Sequence, residues 1–163
     1  MSEIPVLQNI LRANDQIAAQ VRQRLSAAGV AAFNFIGSPG TGKTALLERT
    51  IPLLKKAKGR GQKSEVRGQR SERGIRVAVI EADCATTRDA QRMKALGVQV
   101  VQINTGKGCH APAHLILQAL DNLALNEISL LLIENVGNLV CPSEMDIGET
   151  GKIAIVSVAE GDD

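Results

Sequence analysis

The sequence has almost no aromatic residues: its 163 residues include two Phe and no Tyr or Trp. Proteins that bind single-stranded nucleic acid without sequence preference stack bases on aromatic side chains, so this shortage argues against that class of function. The core must instead be built from Ile, Val, Leu and Ala. Such a composition suits a buried parallel sheet covered by helices.

Long hydrophobic runs and paired cysteines are also missing. No stretch of about 18 apolar residues occurs, so no transmembrane helix is expected. The N-terminus lacks the basic region and apolar stretch of a signal peptide. The three Cys, an odd number, show no disulfide-like pattern. We therefore expect a cytoplasmic protein in a reducing setting, without a membrane partner.

Positive charge is concentrated in one segment. The net charge is only +2, yet residues 55–76 hold nine Lys or Arg and two Glu. Within this stretch, residues 58–74 are polar and rich in Gly and Arg, which predicts a basic, disordered insert. A basic arm for RNA or for an acidic partner is the alternative interpretation. Because the excess charge is local, nucleic-acid binding is not expected.

Strands and helices alternate along the predicted chain. A helix over residues 4–28 is followed by a strand over 31–36 and a helix over 43–56. Further strands are predicted over 75–82, 98–103, 129–133 and 152–158, and further helices over 86–96 and 111–125. This pattern predicts one α/β domain over residues 1–163, with three layers and a mostly parallel sheet flanked by helices. The chain ends directly after a strand, so the fold is expected to lack its C-terminal part.

A phosphate-binding loop joins the first strand to the second helix. The motif G-x-x-x-x-G-K-[ST] is matched by Gly37, Ser38, Pro39, Gly40, Thr41, Gly42, Lys43 and Thr44. Its glycines let backbone amides surround a phosphate, and the helix N-terminus adds partial positive charge. Lys43 can reach the β- and γ-phosphates, and the Thr44 hydroxyl can bind Mg²⁺. The sequence thus predicts a three-layer P-loop NTPase that binds a nucleoside triphosphate with magnesium.

Two acids are candidates for the magnesium side of this site. Asp83 follows the strand segment VAVIEA, and Glu134 follows SLLLI. Ligands in open α/β sheets bind where the carboxyl ends of the strands converge, so both acids are well placed. The alternatives are a helix N-cap, which is a real option for Asp83, or a surface acid.

A possible transition-metal site is formed by Cys109, His110 and Cys141. Thiolate and imidazole suit Zn²⁺, Ni²⁺ or copper ions. Three protein ligands are too few for a closed tetrahedral site, although a two-fold dimer could pair two such sets. An adjacent Cys and His can also be incidental.

Taken together, these segments resemble the hydrogenase nickel-incorporation GTPases, the HypB family of P-loop metallochaperones. The resemblance rests on NFIGSPGTGKTALLE (34–48), DCATTRDAQR (83–92), QINTGKGCH (102–110), IENVGNLVCP (133–142), DIGE (146–149) and SVAEGDD (157–163). It covers most of residues 4–163 apart from the basic insert. The segment IENVGNLVCP is its most specific part.

The resemblance implies a dimeric, slowly hydrolysing GTPase that delivers nickel to the [NiFe]-hydrogenase precursor. Lys43 and Thr44 would serve phosphate and Mg²⁺, and Asp83 would be the switch I acid that acts on Mg²⁺ or on the attacking water. Residues 134–137, from Glu134 to Gly137, resemble the switch II motif that senses the γ-phosphate. The family's Ni²⁺ or Zn²⁺ positions, at a subunit interface, correspond to Cys109, His110 and Cys141. The implied partners are a second copy, other hydrogenase maturation proteins and the hydrogenase large-subunit precursor.

Two departures from the family pattern keep other interpretations open. The family usually continues from Cys-His with Leu-Asp-Ala, whereas this chain has Ala111-Pro112-Ala113. The guanine-reading Asn-Lys-x-Asp segment of the family lies beyond residue 163, so GTP rather than ATP is implied by the resemblance alone. The alternatives are a truncated, non-hydrolysing copy that binds nucleotide or metal, and a urease-type nickel chaperone GTPase. A P-loop kinase is less favoured, because no lid or acceptor site is found.

Overall fold

The computed structural model describes residues 6–57, 74–82, 87–106 and 108–158. Within these residues the strands are β1 (Ala31–Ile36), β2 (Val77–Glu81), β3 (Gln99–Gln102), β4 (Leu130–Glu134) and β5 (Gly151–Ala154). The α-helices are α1 (Val6–Ala27), α2 (Lys43–Lys56), α3 (Thr87–Ala95), α4 (Ala113–Leu120) and α5 (Val140–Glu144), and a 3₁₀ turn covers Leu125–Glu127.

The strands form one sheet in the order β3-β2-β4-β1-β5. Every strand pairing in it is parallel. All carboxyl ends therefore lie along one edge of the sheet, where the loops after β1, β2 and β4 come together.

Helices cover both faces of the sheet, which confirms the predicted three-layer α/β fold. Alternate residues of a strand point to opposite faces, so Val77 and Val79 enter one core while Ala78 and Ile80 enter the other. The first core includes residues of α2 such as Leu47 and Ile51. The second includes residues of α1 and α4. Sheets buried on both faces need nearly continuous apolar strands, which accounts for the aliphatic composition.

The predicted elements occur in the structure, but two of them are shorter than expected. The helix predicted over 111–125 begins after Pro112 and ends at Leu120, because the chain turns there and the amides of Asp121 and Asn122 bond to carbonyls three residues back. The strand predicted over 152–158 pairs only as β5, followed by one amide bond from Ile155 to the Ile36 carbonyl. Beyond Ile36, β1 gives way to the phosphate loop and offers no further partner. Helix α5 was not predicted.

Most of the predicted insert lies outside the described residues, except Gly74. A Cβ on Gly74 would stand only 1.9 Å from the Lys55 carbonyl oxygen, so the backbone that re-enters the sheet touches the end of α2. In the part of the chain that the structure describes, no helix combines the length and apolar character needed to span a bilayer.

Candidate functional site

The phosphate loop connects β1 to α2 at the carboxyl edge of the sheet. Gly40 and Gly42 have φ angles of 83° and 89°, a backbone region that favours glycine. Gly42 is the N-cap of α2 and lends it no side-chain hydrogen bond. The first amides of α2 are consequently free to face an anion, and the helix dipole favours one there.

Lys43 is the buried cation of this loop. Its side chain is 4% exposed, and its ammonium group donates hydrogen bonds to the carbonyls of Gly37 at 2.9 Å and Ser38 at 3.1 Å. These bonds keep the Lys43 ammonium group inside the loop, away from solvent. A phosphate group entering the loop would meet this ammonium directly.

Thr44, at the start of α2, contacts Glu134 at the end of β4, the strand next to β1. The Thr44 hydroxyl donates to Glu134 Oε1 at 2.6 Å, and the carboxylate is 1% exposed. A hydroxyl and a buried carboxylate are hard oxygen ligands, the set that Mg²⁺ prefers beside a nucleotide. The residues present therefore fit a magnesium ion. Both residues were predicted from the sequence as magnesium ligands.

Glu81 is a second buried carboxylate that the sequence analysis missed. It ends β2, is fully buried, and lies in register with Glu134 on β4. Register partners in a parallel pair point to the same face, so the two side chains lie next to each other on the α2 side of the sheet. The signal in the sequence was an acid at the last position of an apolar strand. Asp83, the acid that was proposed from the same segment, lies outside the described residues.

The loop after β4 contacts the phosphate loop. A Cβ on Gly137 would lie 3.0 to 3.2 Å from atoms of Pro39, so a side chain there would force the two loops apart. Asn138 forms an isolated antiparallel bridge with Gly37. The proposed switch II segment thus lies against the proposed nucleotide loop.

The same segment leads into the possible metal residues. Cys109 Sγ lies 3.4 Å from His110 Nδ1, and the thiol of Cys141, at the start of α5, is close enough to affect the titration of Cys109. The Cys141 thiol, together with burial, raises the pKa of Cys109, while burial lowers the pKa of His110. Neither Cys109 nor Cys141 forms a disulfide. The structure therefore brings all three proposed residues to one place.

The three residues do not enclose a metal within one chain. Among the described residues, no group of three His, Cys, Asp or Glu side chains converges closely enough to hold an ion. Two thiols and one imidazole are nevertheless a suitable donor set for Ni²⁺ or Zn²⁺. One chain offers an incomplete, solvent-accessible set.

Two asparagines hold the backbone that follows His110. Asn135 Oδ1 accepts the Ala111 amide at 3.0 Å, and Asn14 Oδ1 accepts the Ala113 amide at 3.1 Å. Pro112 caps α4 without a side-chain hydrogen bond, so Asn14 on α1 provides the capping acceptor from a distant helix. Sequence reasoning did not find either asparagine.

Comparison with known proteins agrees with this arrangement. The sequence profile of the CobW/HypB/UreG nucleotide-binding domain matches residues 31–161. The chain belongs to this family. Within it, the curated relatives place the chain on the HypB branch. Hydrogenase maturation factor HypB of Azotobacter vinelandii is 49% identical over 96% of this chain. The probable HypB of Methanocaldococcus jannaschii is 41% identical over 98% of it.

Solved HypB structures share the fold. The crystal structure of HypB from Archaeoglobus fulgidus has a TM-score of 0.75 and 36% identity, with 94% of this chain and 66% of that chain covered. HypB from Helicobacter pylori, solved in complex with nickel, has a TM-score of 0.76 and 39% identity, with 93% and 63% covered. The chain spans 46% and 65% of the Azotobacter and Methanocaldococcus proteins, about half to two thirds of their length.

Proposed function

We propose that this HypB-type domain binds and hydrolyses GTP and uses the nucleotide to control a nickel site during [NiFe]-hydrogenase maturation. One observation carries the proposal: the segment from Glu134 to Cys141 touches Thr44 at its start and lies close to the Cys109 thiol at its end. Nucleotide and metal residues are thereby joined through a single stretch of backbone. Residues 1–163 would form one cytoplasmic GTPase domain with a basic insert over 58–74.

In the proposed reaction, GTP and water yield GDP and inorganic phosphate. The loop amides of residues 37–44 and the Lys43 ammonium bind the β- and γ-phosphates. Thr44 and Glu134 would hold Mg²⁺, with Asp83 as the proposed further acid, and the bound ion would supply positive charge beside the phosphates. Gly137, the proposed γ-phosphate sensor, lets its loop lie against Pro39 of the phosphate loop. No described side chain is assigned as general base, so positioning and electrostatics supply most of the rate.

The proposed metal cargo is Ni²⁺, with Zn²⁺ as a competitor. Because one chain supplies only Cys109, His110 and Cys141, two copies related by a two-fold axis would complete the coordination. Val140, which precedes Cys141, is 69% exposed and would be covered in such a dimer. The further partners would be other hydrogenase maturation proteins and the hydrogenase large-subunit precursor.

Two related functions are favoured by particular observations. The Ala111-Pro112-Ala113 segment removes an acid next to the metal pair, which favours a copy that binds nucleotide or metal without turnover. One curated relative, from Helicobacter pylori, is named hydrogenase/urease maturation factor HypB and is 38% identical over 99% of this chain. That name favours an additional role in the maturation of a urease.

Turnover is tested by replacing the buried lysine. Lys43→Ala should lower GTP hydrolysis at least tenfold, since the phosphates lose their principal cation, about 1.4 kcal/mol or more of transition-state stabilisation. Phosphate release with GTP and with ATP would be measured. Lys56→Ala, on the exposed end of the same helix, is the matched control and should hydrolyse GTP as the parent does. Equal, near-zero rates in parent and Lys43→Ala would favour the non-hydrolysing copy.

The shared metal site is tested by light scattering. We expect the mass to double when Ni²⁺ and a non-hydrolysable GTP analogue are added together. Cys141→Ser should abolish the nickel-dependent part of the change, because it removes one ligand from each copy. A mass that stays monomeric under every condition would refute the two-fold site.

A further inference from the structure

Glu134 and Asn135 are adjacent residues that act on opposite faces of the sheet. Leu132 belongs to the core on the α2 side and Ile133 to the core on the α1 and α4 side, so the side chains alternate along β4. Continuing this alternation, Glu134 reaches Thr44 on the first face. Asn135 reaches the Ala111 amide on the second. This one dipeptide therefore connects the nucleotide loop to the turn that bears Cys109 and His110.

Asn135 is fully buried, and both polar atoms of its side chain are hydrogen-bonded. Its Oδ1 accepts the Ala111 amide at 3.0 Å and the Val136 amide at 2.9 Å. Its Nδ2 donates to Asn34 Oδ1 at 3.1 Å. The side chain is consequently fixed in one orientation, and any shift of residue 135 must move Ala111 or break a buried hydrogen bond.

The hydrogen bonds continue away from Ala111. Asn34 lies in β1, three residues before the phosphate loop starts, and its Nδ2 donates to Glu149 Oε1 at 3.4 Å. The other oxygen of Glu149 accepts the Ile147 amide at 2.9 Å. Asn34 and Asn135 are both 0% exposed and lie on the face that otherwise holds the aliphatic α1 and α4 core.

A polar network in this position is not needed to fill the core. Buried polar groups cost free energy unless they are fully bonded, and apolar replacements of similar shape are often as stable. The network does specify one relative position for β1, the loop after β4 and the turn after Cys109. A positional role is the one that apolar residues could not supply.

We propose that Asn135 is the positioning residue through which the state of the nucleotide loop sets the Cys109–His110 turn. The inference rests on the proposed nucleotide-controlled nickel site and adds a second route within it. Cys141 follows the switch segment through the chain itself. Cys109 and His110 follow it through the Asn135–Ala111 hydrogen bond, so both halves of the donor set move with residues 134–137.

Asn14 provides a matched control. It holds the same stretch of backbone through the Ala113 amide, and its Nδ2 donates to the Asp146 carbonyl at 2.7 Å. It lies on α1, and within the described residues its side chain bonds to Asp146 and Ala113 rather than to the nucleotide loop. Asn14→Ala should therefore loosen the turn to the same extent in every nucleotide state. Asn135→Ala should also remove the dependence of Ni²⁺ affinity on the bound nucleotide.

The test measures Ni²⁺ affinity by calorimetry with GDP and with a non-hydrolysable GTP analogue. Coupled sites commonly differ by about 5- to 150-fold between states, and we expect a ratio in this range for the parent chain. Asn135→Ala should bring the ratio within about twofold of one. Asn14→Ala should weaken affinity in both states and keep the parent ratio. An unchanged ratio in Asn135→Ala, or an equal collapse in Asn14→Ala, would overturn the inference.

A second variant guards against loss of folding. Asn135→Asp keeps both acceptor bonds. A buried carboxyl group that faces Asn34 Oδ1 is favoured in its protonated form, which can donate to that oxygen, so this variant should retain a ratio within about twofold of the parent. A ratio as low as that of the alanine variant would show that the Ala111 bond is not the connection.

Failure of the proposed function would be recognised separately. If the parent chain bound Ni²⁺ equally with both nucleotides, the proposed coupling would be refuted. Hydrogen exchange at the Ala111 amide then decides the inference. Nucleotide-dependent protection that Asn135→Ala abolishes supports it, and protection that is the same in both nucleotide states overturns it.

Discussion

Lys43, Glu81 and Glu134 bring charge into the interior at the carboxyl edge of the sheet. A buried charge costs several kcal/mol unless an opposite charge or several hydrogen bonds compensate it. Lys43 is bonded to loop carbonyls, and Glu134 accepts the Thr44 hydroxyl. Because the two glutamates lie side by side, a divalent cation between nucleotide and sheet is the compensation that their chemistry favours.

Glu81→Gln tests whether the missed carboxylate takes part in magnesium binding. The amide keeps the shape of the side chain but removes one of the two neighbouring carboxyl groups. We expect the rise in melting temperature that Mg²⁺ gives in the presence of GDP to fall by at least half.

The matched control for this substitution is Glu127→Gln. Glu127 is an exposed acid at the opposite edge of the sheet, and its replacement should leave the magnesium effect intact. Equal magnesium effects in the parent and in Glu81→Gln would exclude Glu81 from the site.

Residues of the site differed in how far the sequence revealed them. Lys43, Thr44 and Glu134 were predicted because a motif or a strand end marks them. Glu81 was missed because it is the one acid in a segment predicted as an apolar strand. Asn135 could not be recognised as an anchor, since its partner, Ala111, is 24 residues away and is a backbone amide. A hydrogen bond to a backbone amide leaves no pattern of side chains in the sequence.

At the scale of elements, local periodicity predicted helices and strands but not their neighbours. In the described part of the chain, four pairings join the five strands, and the central strand β4 is bonded to β1 and β2, from which it is distant in sequence. Pairing order depends on these non-local contacts, which a single sequence does not show. Helix α5 was missed because it has only five residues and contains Pro142.

Helix α1 is tied to the DIGE segment by an ion pair with a testable pH dependence. Arg22 Nη2 lies 2.8 Å from Asp146 Oδ1. Burial alone would raise the pKa of Asp146, but hydrogen bonds from Arg22 and the Gly148 amide outweigh it and lower the pKa. A carboxylate with a lowered pKa stabilises the fold above its unfolded pKa, and this contribution is lost as the pH falls below about 4.

Arg22→Gln should reduce the free energy of unfolding near pH 6.5 by about 1 kcal/mol or less, because both side chains are partly exposed. The difference from the parent should shrink towards pH 3, because protonation of Asp146 removes the ion pair as the pH approaches its lowered pKa. Urea unfolding at the two pH values measures it. Lys56→Gln removes the same charge elsewhere and should not show this narrowing, whereas a constant deficit in Arg22→Gln would argue against the ion pair.

At the scale of the whole molecule, the contact between Gly74 and Lys55 places the last residue of the basic insert beside the C-terminal end of α2. Helix α2 is 14 residues long, about 20 Å, and this contact lies at the end opposite the phosphate loop. Replacing residues 58–73 with a short Gly-Ser linker should therefore leave the nucleotide dissociation constant within about twofold of the parent value. Fluorescent nucleotide titration measures this. A tenfold loss would show that the insert contributes to the nucleotide site.

The position of β4 has a consequence for synthesis of the protein. Strands β1 and β2 leave the ribosome well before β4, yet in the finished sheet β4 lies between them. Until residues 130–134 emerge, β1 has no partner among the strands made so far, and the phosphate loop at its end has no Glu134 beneath it. Because parallel pairing across such separations is slow, the nascent chain passes through a period with exposed aliphatic strands and no nucleotide site. The arrival of β4 therefore covers the aliphatic strands and places Glu134 beside Thr44 in the same step.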